Sequence, residues 1–574
     1  MPDSRIVEPI TFDKGLVLRR DPVLLQDGEL VTASGLSFDV DGRISARSAR
    51  STVNTTILGS INGIHRYMNW VMSAAGGAYS YKWDLNGYCN LYTPDNGDFT
   101  SLGNASSANP PRFADYNEFI FLCNGSDNKA FTKGNWYKWG IDNPTVAPAG
   151  AAGASGNPSG TYSLYYTFQI TFPNGRVYET GPSPVGSVTV SSQKISWTNI
   201  GICNYQGEGL TIKRKLYRYS TATILTYYVA TIHDNTTTTY TDDVSDGDLM
   251  LGSAMESADY IPPPEGFVDC AAYLNRVFGL KGNTLYPSEP YLPFNFESDE
   301  AIGVAPTGVD LVCALDWGDQ LYIATADRWR RLQGTSSSTW QIRQTFSEVG
   351  CINKHTAKAT RYGIISLWYD GIYIFDGTVS KNITRDKIGT ALFTSTISSL
   401  AACIGEWDGR KYKFSYPTSG TTLSAVLVID FSNYPNMVFY NDDFVFTAYQ
   451  YHVPTGIKYF AKSDGYQYEE GGTETIAISL KTGDRVAKDI LKLKQAEYLY
   501  YDIDTGGEDV TVTIYADGVA QSPTYTLNES SRNRTRIELA QFQGYRFALG
   551  LTCADASNVT IYEPWAISFN PFGE

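Results

Sequence analysis

The sequence predicts an all-β chain, a β-propeller interrupted by a sandwich. Three observations predict it: a recurring hairpin beat, a composition made for strands and turns, and the lack of any sustained helical period. The beat is a run of alternating aromatic and aliphatic residues that enters a tight turn and leaves it alternating again. Its turns fall at Gly76, Gly125, Gly282, Ala326, Gly371, Gly420 and Gly465. Successive spacings are roughly 49, 157, 44, 45, 49 and 45 residues, and a period of about 40–50 is that of a four-stranded propeller blade. The long spacing equals one period plus roughly 110 residues, the size of one β-sandwich. Seven beats fit about six to eight blades.

Composition agrees. At 574 residues the chain exceeds one compact core, so two to four domains are expected. Aromatics reach 14% with 41 Tyr, while 52 Gly supply turns, and this pairing suits pleated strands joined by tight connections. The best helical candidate, residues 485–495 (RVAKDILKLKQ), is brief and charged.

The chain divides at its Pro- and Gly-rich stretches. Residues 1–147 read as the first part of the propeller, ending at Pro144 and Pro148 before a flexible linker, AAGASGNPSG. Residues 148–262 change character. A hairpin with Asn174-Gly175 at its tip is followed by KISWTNI, LTIKRKLYRYS, TYYVATIHD and TTTYTDD, strands about ten residues apart, as in a fibronectin-III-like sandwich. The hinge IPPPEG returns the chain to the propeller over residues 263–473. Residues 474–574 lose the blade beat and read as a second, C-terminal β-sandwich, with an Asp-Gly hairpin at Asp517.

Charge and cysteine usage bound the function. With 45 basic and 60 acidic residues the formal charge is −15, which argues against ordinary binding of nucleic acid through phosphate contacts. The densest basic clusters, Lys213-Arg214-Lys215 and Arg328-Trp329-Arg330-Arg331, sit among strand-like residues and read as solvated or interface faces. The eight cysteines (Cys89, Cys123, Cys203, Cys270, Cys313, Cys351, Cys403, Cys553) are scattered through apolar strands and read as small core hydrophobes. No disulfide framework is expected, folding in the cytoplasm fits, and sequons such as Asn54, Asn235 and Asn533 read as chance. The N-terminus lacks a signal-peptide core, and no run reaches the 18 or so apolar residues of a membrane helix.

The chain carries few motifs of catalytic or metal chemistry. His65, His233, His355 and His452 lie far apart, without metal-ligand spacing, and no nucleophile elbow or phosphate loop occurs. The acidic stretch 242–248 lacks the spacing and terminal Glu of a calcium loop and reads as a solvated exit loop. A glycosidase needs two carboxylates about 5–10 Å apart. Asp316, Asp319, Asp370, Asp376 and Asp408 supply carboxylates, and Trp317, Trp368 and Trp407 could stack on sugars, but each sits at or beside a hairpin turn. No catalytic, cofactor-binding or metal residues are assigned, no cofactor is expected, and the chain is not expected to be an enzyme.

Three segments carry a family resemblance. They are the insert GTYSLYYTFQITFPNGRVYETGPSP with LTIKRKLYRYS and TTYTDD, the re-entry LNRVFGLKGNTLYPSEPYLPFNF at 274–296, and GCINKHTAKATRYGIISLWYDGIYIFDG at 350–377. In this order, from propeller start through insert and propeller remainder to terminal sandwich, the chain resembles the tail nozzle proteins (tail tubular protein B) of short-tailed bacteriophages. Cys351 stands where the commoner pattern has Ser. The resemblance implies a structural virion protein at the tail tip, assembled in the host cytoplasm. It implies a homohexamer below a tail adaptor protein, with tail fibres or spikes and a tail needle or plug as further partners. Its gated lumen would retain DNA and then conduct it without sequence-specific binding, and the ring would contact the host surface late. Loops at 93–113 and 286–308 are gate candidates. The alternatives are a receptor- or glycan-binding tail component and a propeller glycosidase.

Overall fold

The computed structural model describes residues 5–40, 42–55, 61–68, 78–84, 88–93, 98–104, 109–133, 135–453 and 456–571. It is an all-β, propeller-like fold of many small sheets. Among the described residues, seven antiparallel units of four strands follow one another, the third carrying a short fifth strand, Ile302–Gly303. Their first strands are Ile61–Met68, Arg112–Tyr116, Asp269–Tyr273, Cys313–Trp317, Lys358–Thr360, Ile404–Trp407 and Ala448–His452. Each first strand neighbours the next, and Ala448–His452 returns to lie beside Ile61–Met68, so the row closes on itself. The last unit takes its fourth strand, Arg50–Thr52, from near the N-terminus. Closure of this kind leaves few strand edges open.

All but one of the predicted turns mark one place in this repeat. Gly125, Gly282, Ala326, Gly420 and Gly465 fall between the second and third strands of their units, and Gly371 opens the third. Gly76 lies outside the described residues, in sequence between the first and second strands of its unit, Ile61–Met68 and Ala78–Asp84. The helix candidate at 485–495 is irregular, because Ala487 and Lys488 adopt left-handed backbone (φ 41° and 74°) that a right-handed helix excludes.

Between the second and third units the chain builds two sheets over residues 149–242. One is Ala149–Ser155, Gln193–Thr198 and Tyr240–Asp242; the other centres on Gly160–Thr171 and Thr211–Ser220. The stretch read as a linker is therefore largely a strand: Ala149–Ser155 pairs with Gln193–Thr198. Its small residues carry no β signature, yet they permit close approach; a Cβ on Gly150 would lie 2.7 Å from Leu164 Cδ1. One aromatic-rich core, including Phe119, Phe121, Trp139, Phe172, Tyr178 and Phe294, runs continuously from the second unit through the insert to the third.

The two chain ends share a sheet. Ile6–Ile10 pairs with Trp565–Pro571, and Arg43–Ala46 pairs with Thr560–Tyr562. Glu29–Ser34 links the outer strand of the sixth unit, Val438–Asp442, to Ile478–Thr482 of the C-terminal segment. The first 46 residues, expected in the propeller, thus pair mainly with the C-terminal segment. Only long-range pairing reveals this, since each strand alone reads as any other. A single core runs through the fifth to seventh units, the N-terminal strands and the C-terminal segment.

Candidate functional site

The first strands converge on a hub, which is tied shut by polar side chains. Arg112 Nε donates to Asp269 Oδ1 (2.8 Å), and Asp269 Oδ2 accepts from the Ala314 amide (3.0 Å), joining three successive units. Lys354 Nζ donates to the Val268 carbonyl, and Lys358 Nζ to Glu406 Oε2, each at 2.5 Å. Asn353 Nδ2 donates to the Cys403 carbonyl (2.7 Å), and the Tyr412 hydroxyl to that of Thr356 (2.7 Å). His65 stacks on Phe113, with centroids 4.8 Å apart, and its Nε2 lies 2.7 Å from Asp115 Oδ1. Burial, with Lys354, Arg112 and Lys358 nearby, holds the His355 imidazole well below its ordinary pKa, so it is neutral at pH 7.

A cavity of ≈ 240 Å³ remains, lined by His65, Arg112, His355, Lys358, Glu406 and Gln450. That volume admits small ions or waters. It cannot pass a DNA duplex, whose major groove alone is about 12 Å wide.

The carboxylates weighed for hydrolysis hold turns. Asp408, 6% exposed, accepts from the amides of Arg410 and Lys411, and Lys458 Nζ lies 3.4 Å away. Asp376 accepts from the amides of Thr378 and Val379, and Asp370 accepts from the Tyr373 hydroxyl. Asp319 occupies a left-handed turn position (φ 58°) beside Asp316, whose pKa is raised by partial burial and by the Asp319 charge. The tryptophans brace the units. Trp317 Nε1 donates to the Thr360 carbonyl and Trp368 Nε1 to that of Ala326, each reaching a neighbouring unit, while Trp407 packs edge-on against Phe431.

In each basic cluster one arginine turns inward, away from the solvated or interface face expected, while Lys213, Lys215, Arg328 and Arg331 stay at least partly exposed. Arg214 is fully buried and donates to the carbonyls of Gly201 and Thr237 and to Asp234. Arg330 is 4% exposed and donates to Thr325 Oγ1, while Trp329 stacks on Phe375 at 5.4 Å. The acidic stretch 242–248 is likewise not simply a solvated loop. Asp242 is buried against Arg218 (2.5 Å), and Ser245 caps the short helix Asp246–Leu249. Strand alternation already placed Arg214, Leu216 and Arg218 on one face, the signal that points them inward.

One carboxylate cluster escaped the sequence reading. Oxygens of Glu289, Glu297 and Glu300 lie within 4.8 Å of one another. Arg276 Nη1 reaches Glu300 at 2.5 Å and Glu289 at 3.5 Å, so a guanidinium already serves the cluster. Burial, then the Glu300 charge, pushes the Glu289 carboxyl up to about 7. The gate candidate at 286–308 includes the paired strands Leu292–Phe296 and Ile302–Gly303, with residues 297–301 and 304–308 outside strands. The candidate at 93–113 contains the strand Asp98–Asn104, and its residues 94–97 and 105–108 lie outside the described residues.

No family model and no curated protein matches the chain. Among solved structures, it is similar to the computationally designed Ika8 protein at 9% identity and a TM-score of 0.32, covering 74% of this chain and 100% of that one. It is also similar to the Neurospora crassa Pan2 WD40 domain at 8% identity and a TM-score of 0.26, covering 75% of this chain and 98% of that one.

Proposed function

We propose that this chain is a structural subunit of a short phage tail, a nozzle protein whose copies form a ring around a DNA passage. The observation that carries the reading is mechanical continuity. The propeller-like units, the insert and the terminal segment share cores and strands, and both chain ends lie in one sheet. Such a body suits a ring that bears the pressure of a packaged genome.

In this reading the seven units are seven blades, the last closed by Arg50–Thr52. Residues 149–242 form the inserted sandwich, and the C-terminal segment with strands from the first 46 residues forms the terminal one. The closed row of first strands and the strand pairings support that division. The order of segments in the sequence supports the family assignment.

Charge supports passage rather than retention by contact. Six copies of a −15 chain would bring about −90 of formal charge, and acidic walls repel phosphates over a Debye length of about 10 Å at 0.1 M salt. Because the hub of one chain is too narrow for a duplex, the lumen would lie between copies. Partners would be an adaptor ring above, fibres or spikes at the side and a needle or plug below.

Electron cryo-microscopy of tails carrying this chain tests the proposal. A ring of identical copies around an acidic lumen is expected. A lumen lined with Lys and Arg would overturn the passage mechanism, and a peripheral, non-ring position would overturn the nozzle reading.

A further inference from the structure

One edge of this acidic chain is rich in arginine. The strand Asn533–Glu538 reads NRTRIE, and Arg532, Arg534 and Arg536 are all exposed. It pairs with Lys494–Asp504 on one side only, so among the described residues its other edge is open. Tyrosines flank the guanidinium groups: Arg536 Cζ lies 4.5 Å from the Tyr498 ring centroid and Arg532 Cζ 3.8 Å from that of Tyr562. Two nearby carboxylates are already engaged, Asp502 by Arg532 (2.7 Å) and Glu497 by Arg5 (3.2 Å). Glu538 is then the one carboxylate on the strand beside Arg534 and Arg536. A groove of ≈ 590 Å³ opens there between Pro9, Tyr500, Arg534, Arg536 and Pro564, and Val7 nearby is 56% exposed.

The insert presents the opposite chemistry. No Lys or Arg occurs between Arg218 and Arg276. Within that stretch Thr226–Ile232 forms the last strand of its sheet. Residues 253–255 run beside it, with Tyr228 N donating to the Ser253 carbonyl and Met255 N to that of Thr226. Large aliphatic side chains stand in solvent around this edge: Ile224 at 77%, Leu225 at 53% and Leu251 at 86% exposed. Asp248, on the short helix that contacts this strand, and Glu256 are exposed about it. Clustered exposed aliphatics rimmed by carboxylates mark an interaction surface rather than random surface hydrophobes.

We infer that these two surfaces are halves of one contact, in which the arginine strand of each copy docks on the insert edge of the next. The occupant of each surface is a second copy of this chain, because the chain itself supplies the complement: guanidinium against carboxylate, Val7, Pro9 and tyrosine faces against Ile224, Leu225 and Leu251. Complementary charge of this sort fixes partner and register. A contact between two different patches is heterologous, and such contacts close into rings or run on as filaments. The inference deepens the nozzle reading by naming its subunit interface, and rests on that reading only for self-assembly.

The test is sedimentation velocity on the full chain and two variants, Arg534→Glu/Arg536→Glu and Leu251→Lys/Glu256→Lys, at high micromolar concentration. The wild type is expected to assemble beyond a dimer, less so as salt rises from about 0.05 M to about 0.5 M. Each variant alone is expected to stay monomeric. An equimolar mixture is expected to stop at dimers, since each partner brings one intact surface. Should a charge reversal fail to fold, Arg534→Gln/Arg536→Gln and Leu251→Ser/Glu256→Gln replace the pair. Assembly of the variants like wild type, a mixture that forms no dimers, or a monomeric wild type would overturn the interface. So would a labelled oligothymidylate that binds wild type but not the arginine-strand variant while assembly is unchanged. None of these outcomes bears on whether the chain sits in a tail ring, which its copy number in virions decides separately.

Discussion

Arg50 and Asp442 lie 392 residues apart in sequence and 2.8 Å apart in space. Their side chains are 2% and 4% exposed, and the pair joins the closing strand of the seventh unit to the outer strand of the sixth. Asp442 also faces Arg47 at 3.2 Å and Lys413 at 3.1 Å. Three cations thus hold its carboxyl far below the usual range despite burial. Lys413 shares that one carboxylate with two arginines, so burial dominates and lowers its pKa to about 8.

Removing Arg50 leaves Asp442 with two of its three cationic partners, Arg47 and Lys413. Arg50→Met is expected to destabilise the fold by about 1–3 kcal/mol, measured by urea unfolding. It should also speed proteolysis of the N-terminal segment, because the closing strand loses its anchor. A loss below about 1 kcal/mol would mean that strand pairing alone closes the row.

Two carboxyls predict a pH dependence. Burial raises both Glu563, which accepts from the Phe12 amide, and Glu289 to about 7. The native state therefore binds more protons than the unfolded chain between roughly pH 4.5 and 7. Their contribution is present below the unfolded pKa and is lost as pH rises through 7. Thermal melts of wild type should fall between pH 5 and 8 more steeply than those of Glu563→Gln/Glu289→Gln. Parallel curves would contradict this assignment.

Gly140 seats the hinge at the far end of the insert. Its φ is +110°, and a Cβ there would lie 2.4 Å from Pro263 Cδ. Gly140→Ala combines backbone strain with a clash, and about 1–3 kcal/mol of destabilisation is expected in thermal unfolding. An unchanged melting temperature would show that the triple-proline segment yields freely.

Asp408 and Asp370 separate scaffold from enzyme. Asp408→Ala removes the acceptor of two backbone-amide hydrogen bonds and a partner of Lys458, so a stability loss of about 1–3 kcal/mol is expected. Asp370→Asn keeps an acceptor for Tyr373 and should be near neutral. Loss of a hydrolytic activity on Asp370→Asn without loss of stability would instead favour the propeller glycosidase.

The repeat was legible because most units place a turn residue between or at the junction of their second and third strands, as at Gly282 and Gly465, and the beat there survives without any alignment. The insert was legible from Asn174-Gly175, whose Gly175 amide closes its turn on the Phe172 carbonyl. What stayed hidden is non-local or weakly coded. Arg50–Thr52 is three residues long and finds its partner, Gln467–Glu470, only after the whole row is built. Ala149–Ser155 is a strand of alanine, glycine and serine, held by its neighbour's hydrogen bonds rather than by propensity. The hub pairs escaped for the same reason, since Arg112 and Asp269 carry no shared motif.

Copy number per particle, by quantitative mass spectrometry on virions that contain this chain, tests the central proposal most directly. The nozzle account predicts about six copies. A larger multiple of three, about 18, would assign the chain to a receptor-binding spike instead, and its absence from the particle would contradict the account outright.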